Sequence, residues 1–247
     1  MPEIYIIYSM QRSGHHAIIF WLLENMGGFN RNMNTNVYWN ENKAIYYYND
    51  CNHVPYILSN TYKKLILSFE DIDLSNNYYN YIHNQKKLNL IPNDGDKKII
   101  IIRDFYNMLA SRYKKFSPNY GFNKYYLLDI DDIILLWKHE AREILENKNI
   151  IGILYNKWII DKNYRNEIGD KLGIKNIFDK IDYVPIMGNG SSFCKLNLEN
   201  NKINYLERFK KVKFPEDILI KIKNDKELFQ LNNQLFDKNF EEEFDLI

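Results

Sequence analysis

The chain has 247 residues, a length that fits one α/β domain, and its 45% hydrophobic and 26% charged residues are ordinary for a globular protein. Its formal net charge of +1 excludes a global attraction to nucleic acid or to a membrane, so any anion must be bound by a local group of residues. Two cysteines cannot form a disulfide framework, the start of the chain lacks a signal-peptide pattern, and no apolar run reaches the length of a membrane span. We therefore expect a cytoplasmic protein.

The first third of the chain begins with a strand, a turn and a helix. Residues 4–8 form a short β-branched and aromatic run, which predicts a buried strand. Residues 15–26 have the apolar spacing of a helix, and Gly27 and Gly28 end it. Residues 30–63 have a loop-like pattern, and a second apolar strand is predicted at 65–69.

The rest of the chain alternates strands and helices, which favours an α/β fold with a central parallel sheet covered by helices on both faces. We predict strands at 98–102 and 150–155, helices at 104–115, 131–147 and 164–172, and one or two amphipathic helices after Pro215. We interpret residues 1–247 as a single domain. Insertions at about 30–63 and 76–96 belong to the substrate side, and 196–247 form a helical tail. Ligands of such sheets bind at the carboxyl ends of the strands.

An octapeptide between the first strand and the first helix has the composition of an anion site. Residues 9–16 read Ser-Met-Gln-Arg-Ser-Gly-His-His, so a turn leads into a helix N-terminus whose N–H groups and dipole attract anions, and Arg12 adds a fixed charge. The alternative is an ordinary turn with an exposed arginine. Compared with the nucleotide-triphosphate loop, His15 replaces the lysine and His16 the Mg²⁺-binding hydroxyl. We infer a phosphate-like ligand that is bound without a metal.

A second group of polar residues follows the most β-branched run of the chain. Arg103 ends this strand, and Ser111 lies eight residues further on in the following helix, so both can face one anion above the sheet edge. Asp104 is equally explained as a helix cap, and Arg103 alone as a strand-end charge.

Together the two motifs resemble the sulfotransferases that use 3′-phosphoadenosine 5′-phosphosulfate (PAPS). In this family a loop after the first strand binds the 5′-phosphosulfate, and an arginine and a serine eight residues apart bind the 3′-phosphate. Arg12-Ser13-Gly14 and Arg103…Ser111 match in spacing and order. Two further matches are Tyr155, with Leu-Gly at 172–173, and a small-residue loop at 188–193.

The resemblance implies a nucleotide-kinase-like P-loop architecture and a set of site residues. Those for the 5′-phosphosulfate are Arg12, Ser13, Gly14, His15, His16 and Ala17. Those for the 3′-phosphate are Arg103 and Ser111, with Gly190, Ser191 and Ser192 closing over it. Tyr155 lies beside the adenine. No metal is required.

The chain departs from the family pattern in three places. Gln11 replaces a proline, and His15 and His16 replace two threonines, although an imidazole N–H still donates and His16 near the leaving group favours the protonated form. These histidines are alternatively plain residues of a helix start. Asn156-Lys157 lacks the usual acidic pair, which puts local packing in question.

The general base falls at the end of the strand at 65–69. By the resemblance Glu70 takes this position, with Asp71 or a loop histidine as the alternative, and both carboxylates are otherwise solvated strand-end charges. Arg12 and His16 are the other catalytic candidates, since they stabilise charge on the departing phosphate.

The sequence thus predicts sulfuryl transfer from PAPS to a phenol, alcohol or sugar, leaving 3′-phosphoadenosine 5′-phosphate. We expect no nucleic-acid or membrane partner, and the oligomeric state, including a homodimer, is left open. One alternative is a P-loop-type nucleotide or small-molecule kinase, which a Mg²⁺ requirement would favour. Another is an inactive protein that only binds an adenosine bisphosphate.

Overall fold

In the part of the chain that the structure describes, five parallel strands form one sheet with the order β2-β3-β1-β4-β5. The computed structural model describes residues 3–26, 36–39, 64–71, 97–116, 129–175, 177, 179 and 206–237. The strands are β1 (Glu3–Ser9), β2 (Asn36–Trp39), β3 (Lys64–Glu70), β4 (Lys97–Ile102) and β5 (Ile150–Leu154). The predicted strands are confirmed to within a residue or two, because parallel strands buried on both faces are written as continuous apolar runs.

Helices follow the strands, and side-chain caps define several of their ends. They are α1 (His15–Asn25), α2 (Phe105–Phe116), α3 (Ile130–Glu146), α4 (Tyr155–Ile160), α5 (Lys162–Leu172), α6 (Glu216–Asn224) and α7 (Lys226–Phe236), with a 3₁₀ turn at Phe209–Lys211. Asp129, Asp161 and Asp225 each accept a backbone N–H in the first turn of α3, α5 and α7. Gly173 ends α5 in the left-handed conformation with φ 70°, as its place after the last apolar residue predicted.

The two faces of the sheet carry two separate cores. Alternate residues of β1 and β4, such as Ile6 and Ile100, pack with α2, α3, α6 and α7 on one face. The intervening residues, such as Ile7 and Ile101, pack with α1, α4 and α5 on the other. This period-two division of a strand between two cores confirms the α/β fold with helices on both faces.

Three sequence predictions need correction. Residues 30–63 are not all loop, since Asn36–Trp39 form β2 and pair with β3 from Ile66 to Phe69. This strand has only four residues and asparagines around it, so it offers too short a pattern to detect. Tyr155, placed at the end of a strand, instead begins α4, and Asp104, placed in α2, lies just before it.

The chain changes direction at the centre of the sheet. Strands β1 and β4 are neighbours, but β1 leads to α1 on one face and β4 leads to α2 on the other. A parallel sheet opens a crevice at the carboxyl ends of two such strands, and this is where ligands of open α/β sheets bind. The loop after β1 and the Arg103 position after β4 flank this crevice.

Candidate anion-binding site

The loop between β1 and α1 turns tightly through two left-handed residues. Arg12 has φ 72° and Gly14 has φ 89°, and the Ser13 N–H donates to the Met10 carbonyl at 3.2 Å. A left-handed conformation is uncommon for arginine, and such strained residues concentrate at binding sites. The loop delivers the chain to the N-terminus of α1, whose first turn contains no acidic residue. The positive end of the helix is thus left for an external anion.

Glycine at position 14 is required by contact as well as by conformation. A Cβ there would collide with the Tyr155 ring, which is 7% exposed and lies against the Trp158 ring with centroids 6.0 Å apart. The guanidinium of Arg103 lies over the same Tyr155 ring, 5.1 Å from its centroid. Tyr155, which is predicted to lie by an adenine, therefore also packs against the loop and links it to Arg103.

An ion pair between Arg112 and Asp71 also holds the β1–α1 loop in place. Arg112 donates to both carboxylate oxygens of Asp71, at 2.9 and 2.6 Å, and to the Gln11 carbonyl at 3.4 Å. Asp71 in turn accepts the Gln11 N–H at 2.9 Å, and its own N–H donates to Ser9. These bonds give Asp71 a role in holding the loop, so we do not retain it as the alternative base.

The two sequence motifs meet directly. The Arg12 Nε donates to the Ser111 Oγ at 3.3 Å, although 99 residues separate them, and Ser111 is buried in α2. Since Arg112 is the next residue, two consecutive residues of α2 contact the β1–α1 loop. The two segments that carry the motifs, the β1–α1 loop and α2, are therefore in direct contact.

Arg103 is a buried cation with two cationic neighbours. It is 2% exposed, and its pKa is lowered to about 10, first by desolvation and then by Arg208, with a smaller contribution from Arg12. The Tyr155 ring and the Asp104 carboxylate act in the opposite direction. Arg103, Arg208 and Arg12 together create a positive local environment that would stabilise a bound polyanion.

The Asp104 carboxylate is held by two amides. Asn107 donates to both of its oxygens at 2.9 and 3.0 Å, and Asn156 donates to Oδ2 at 2.8 Å. The Asp104 N–H donates back to Asn156 at 3.3 Å. Asn156, which stands where the family has an acidic residue, thus links α4 to the start of α2 through an amide. Local packing is satisfied in this way.

The remaining predicted residues differ in how far the structure describes them. His15 is buried, and its ring lies 4.0 Å from that of the half-buried His16, while the Ala17 N–H donates to Gly14. Glu70 is the last residue of β3 and pairs with Ser9 in register, and its side chain lies outside the described part. The loop containing Gly190, Ser191 and Ser192 also lies outside the described residues.

Arg208 is a site residue that sequence reasoning missed. It belongs to the C-terminal segment and is 4% exposed, and its charge contributes to the lowered pKa of Arg103. The sequence contained one indication of its importance, since arginine makes up only seven of the 33 Lys and Arg residues of this chain. A lysine-rich chain that keeps an arginine often does so where a planar, forked donor is needed.

Glu140 was missed in a different way. It lies on the apolar stripe of α3 and is 1% exposed, and within the part of the chain that the structure describes neither of its oxygens has a hydrogen-bond partner. Burial raises its pKa well above the usual value, the nearby Asp71 adds to this, and Arg112 opposes it. Beside the Asp71–Arg112 pair, burial therefore favours the neutral form of the Glu140 carboxyl group.

No protein-family model and no curated protein matches this chain. Within the ranges that the structure describes, no helix is long and apolar enough to cross a membrane. Among those same residues, no three His, Cys, Asp or Glu side chains are grouped in a way that would hold a metal ion.

Proposed function

We propose that this protein is a PAPS-dependent sulfotransferase with a nucleotide-kinase-like P-loop architecture. The observation that carries the proposal is the joining of two anion sites at the sheet edge. The β1–α1 loop and the buried Arg103 lie on either side of the β1–β4 crevice, and the Arg12–Ser111 hydrogen bond of 3.3 Å connects them. A ligand with anionic groups on both the 3′ and the 5′ positions of one ribose fits such a pair.

Three features of the loop fit a phosphosulfate. Ser9 and Ser13 each bury a hydroxyl that has no hydrogen-bond partner among the described residues, and a ligand or water would satisfy such groups. Gly14 leaves room for the Tyr155 ring, the residue that is proposed to lie beside the adenine, directly against the loop. The N-terminus of α1 supplies N–H donors and a positive dipole end.

The second anion site suits a phosphate monoester. Arg103 and Arg208 are both buried, and the charge of Arg208 contributes to the lowered pKa of Arg103. A doubly charged phosphate between the two side chains would favour the charged guanidinium of Arg103. Ser111 adds a hydroxyl. In this proposal these residues hold the 3′-phosphate, Gly190, Ser191 and Ser192 close over it, and Tyr155 lies beside the adenine.

The proposed reaction is one in-line transfer. The acceptor hydroxyl oxygen forms a bond to sulfur while the bond from sulfur to the 5′-phosphate oxygen breaks, and the acceptor proton goes to Glu70. Arg12 and His16 stabilise the negative charge that develops on the departing phosphate. By analogy with phosphoryl transfer, positioning and charge do most of the work. The acceptor is a small molecule or carbohydrate with a free hydroxyl group.

Thermal unfolding with nucleotides tests the binding half of the proposal. At a hundredfold excess over its dissociation constant, 3′-phosphoadenosine 5′-phosphate should stabilise the protein by about 2.7 kcal/mol. ADP lacks the 3′-phosphate and should raise the melting temperature much less. Equal shifts from both nucleotides, or a dependence on Mg²⁺, would refute the assignment and favour a kinase.

Turnover tests the chemical half. Labelled PAPS is incubated with a panel of phenols, alcohols and sugars, and labelled products are separated. Transfer to at least one class without added metal is the expected result. Tight nucleotide binding with no transfer to any acceptor would identify an inactive binding protein instead.

A further inference from the structure

Asn107 connects the start of α2 to the C-terminal segment. It is fully buried, and its Nδ2 donates to both oxygens of Asp104 and to the Leu206 carbonyl at 2.9 Å. Its Oδ1 accepts the Arg208 N–H at 2.6 Å. One side chain thus uses its donors and its acceptor to bind two backbone groups that lie 99 and 101 residues away.

These bonds determine where the Arg208 side chain starts. With the carbonyl of residue 206 and the N–H of residue 208 both fixed, the short stretch between them has a defined orientation. The next residue, Phe209, packs on the Tyr106 ring of α2 with centroids 6.0 Å apart, and it is fully buried. The Arg208 backbone N–H is thereby held, through Asn107, close to the Asp104 carboxylate, and Asp104 directly follows Arg103 in the chain. The charge of Arg208 also lowers the pKa of Arg103, which agrees with this placement.

We propose that Asn107 is a positioning residue that fixes Arg208 beside Arg103, so that the C-terminal segment supplies the second arginine for a phosphate monoester. This inference rests on the proposed function insofar as the monoester is the 3′-phosphate of a nucleotide. Its consequence is that Asn107, which contacts no ligand in this scheme, sets the preference for a 3′-phosphorylated nucleotide.

The amide is suited to this position by its mixed donors and acceptor. An aspartate at 107 would place a second carboxylate against Asp104 and would lose the bond to Leu206. A serine keeps a polar group but is too short to reach both Asp104 and the Arg208 N–H. The chain also offers a matched control in Asn232 of α7, which is equally buried and whose Oδ1 accepts the Phe105 N–H at 3.0 Å.

The test compares wild type with Asn107→Ala, Arg208→Ala, the double variant and Asn232→Ala. The measured quantity is the ratio of the dissociation constants of ADP and 3′-phosphoadenosine 5′-phosphate, from calorimetric titration. Arg208→Ala should lower this ratio about 10–100-fold, the value of one charge-assisted contact. Asn107→Ala should lower it by a similar factor, and the double variant should show no further loss. Asn232→Ala should lower the melting temperature and leave the ratio within twofold.

A second ligand separates this inference from the proposed function. Inorganic pyrophosphate, at matched ionic strength, should raise the melting temperature of wild type and of Asn232→Ala, and raise it less in Asn107→Ala and Arg208→Ala. If wild type does not prefer the 3′-phosphorylated nucleotide, the proposed function fails, and the pyrophosphate result alone decides the role of Asn107. Three outcomes would overturn the inference. Asn107→Ala could leave both the ratio and the pyrophosphate shift unchanged, the effects of the two substitutions could multiply in the double variant, or pyrophosphate could give no shift in wild type. If Asn107→Ala does not fold, Asn107→Ser carries the same expectations.

Discussion

Replacing Arg103 by methionine should separate folding from binding. Arg103 is 2% exposed, and burial together with Arg208 and Arg12 lowers its pKa from 12.5 to about 10. At 1.36 kcal/mol for each pKa unit, this corresponds to about 3 kcal/mol against the charged form in the folded protein. Because the unfolded chain keeps its proton up to a higher pH, the penalty applies in full below pH 10 and is relieved only as the pH rises above it.

Methionine at this position removes the charge and keeps most of the volume. The variant also loses the cation–π contact with Tyr155, 5.1 Å away, which is worth about 0.5–2 kcal/mol. The net expectation for the ligand-free protein at pH 7 is a free energy of unfolding between unchanged and about 2 kcal/mol higher than that of wild type. The affinity for 3′-phosphoadenosine 5′-phosphate should nevertheless fall by about 1.5–3 kcal/mol, since a charge-assisted contact is lost.

Urea unfolding and calorimetric titration measure the two quantities on the same samples. The matched control is Arg165→Met, since Arg165 is also buried but is paired with Asp179 and with the Trp158 carbonyl. That change should destabilise the protein by about 1–3 kcal/mol and leave nucleotide affinity alone. A loss of more than about 2 kcal/mol in Arg103→Met would mean that Asp104 outweighs the burial and the two arginines, and the argument for an anion site at Arg103 would fail.

Three further changes test other parts of the site. Glu70→Gln should slow turnover about 10²–10⁴-fold while nucleotide affinity and melting temperature stay unchanged, and activity within a few-fold of wild type excludes Glu70 as the base. Gly14→Ala should destabilise the protein by about 2–4 kcal/mol in urea unfolding, because φ 89° and the Tyr155 ring both oppose a Cβ, and Tyr155→Leu should restore only the part due to contact. Because the pKa of Glu140 is raised in the folded protein, its contribution to stability is complete below the unfolded pKa of 4.5 and is lost as the pH rises. In urea unfolding, Glu140→Gln should therefore be as stable as wild type at pH 4 and more stable than wild type at pH 8. A wild type that is at least as stable as the variant at pH 8 contradicts this.

The sequence could predict the features whose signals are local. The run at 99–102 followed by Arg103 and a helix carries its own pattern, and the same holds for the turn before α1. Ser111 was found because it lies two helical turns after Arg103 and because the spacing of eight residues resembles the sulfotransferase pattern. The clamp on the loop was not predictable in this way, since Asp71 and Arg112 are 41 residues apart and each looks like an ordinary charge.

The parts that were missed depend on contacts between distant segments. Arg208 meets Asn107 across 101 residues, and no periodicity connects them. Glu140 has the spacing of an apolar stripe but a carboxylate in it, and a sequence pattern treats it as an exception. Its burial follows from the packing of α3 against the sheet, which fixes the helix rotation through Trp137 and the Trp137 bond to the Arg103 carbonyl at 2.9 Å.

Helix α2 contacts the two segments that carry the proposed anion sites, and it therefore couples their positions. Its second half holds the β1–α1 loop through Ser111 and Arg112, and its first turn holds the C-terminal segment through Asn107. A shift of this helix by a fraction of an ångström would move Arg12 and Arg208 together, because packed helices move as units rather than residue by residue. An anion that fixes one site therefore also fixes the helix for the other. A nucleotide carrying both anionic groups should for this reason bind more tightly than independent binding of its two halves predicts. The prediction for independent binding is the product of the two separately measured association constants and the effective concentration that the nucleoside imposes.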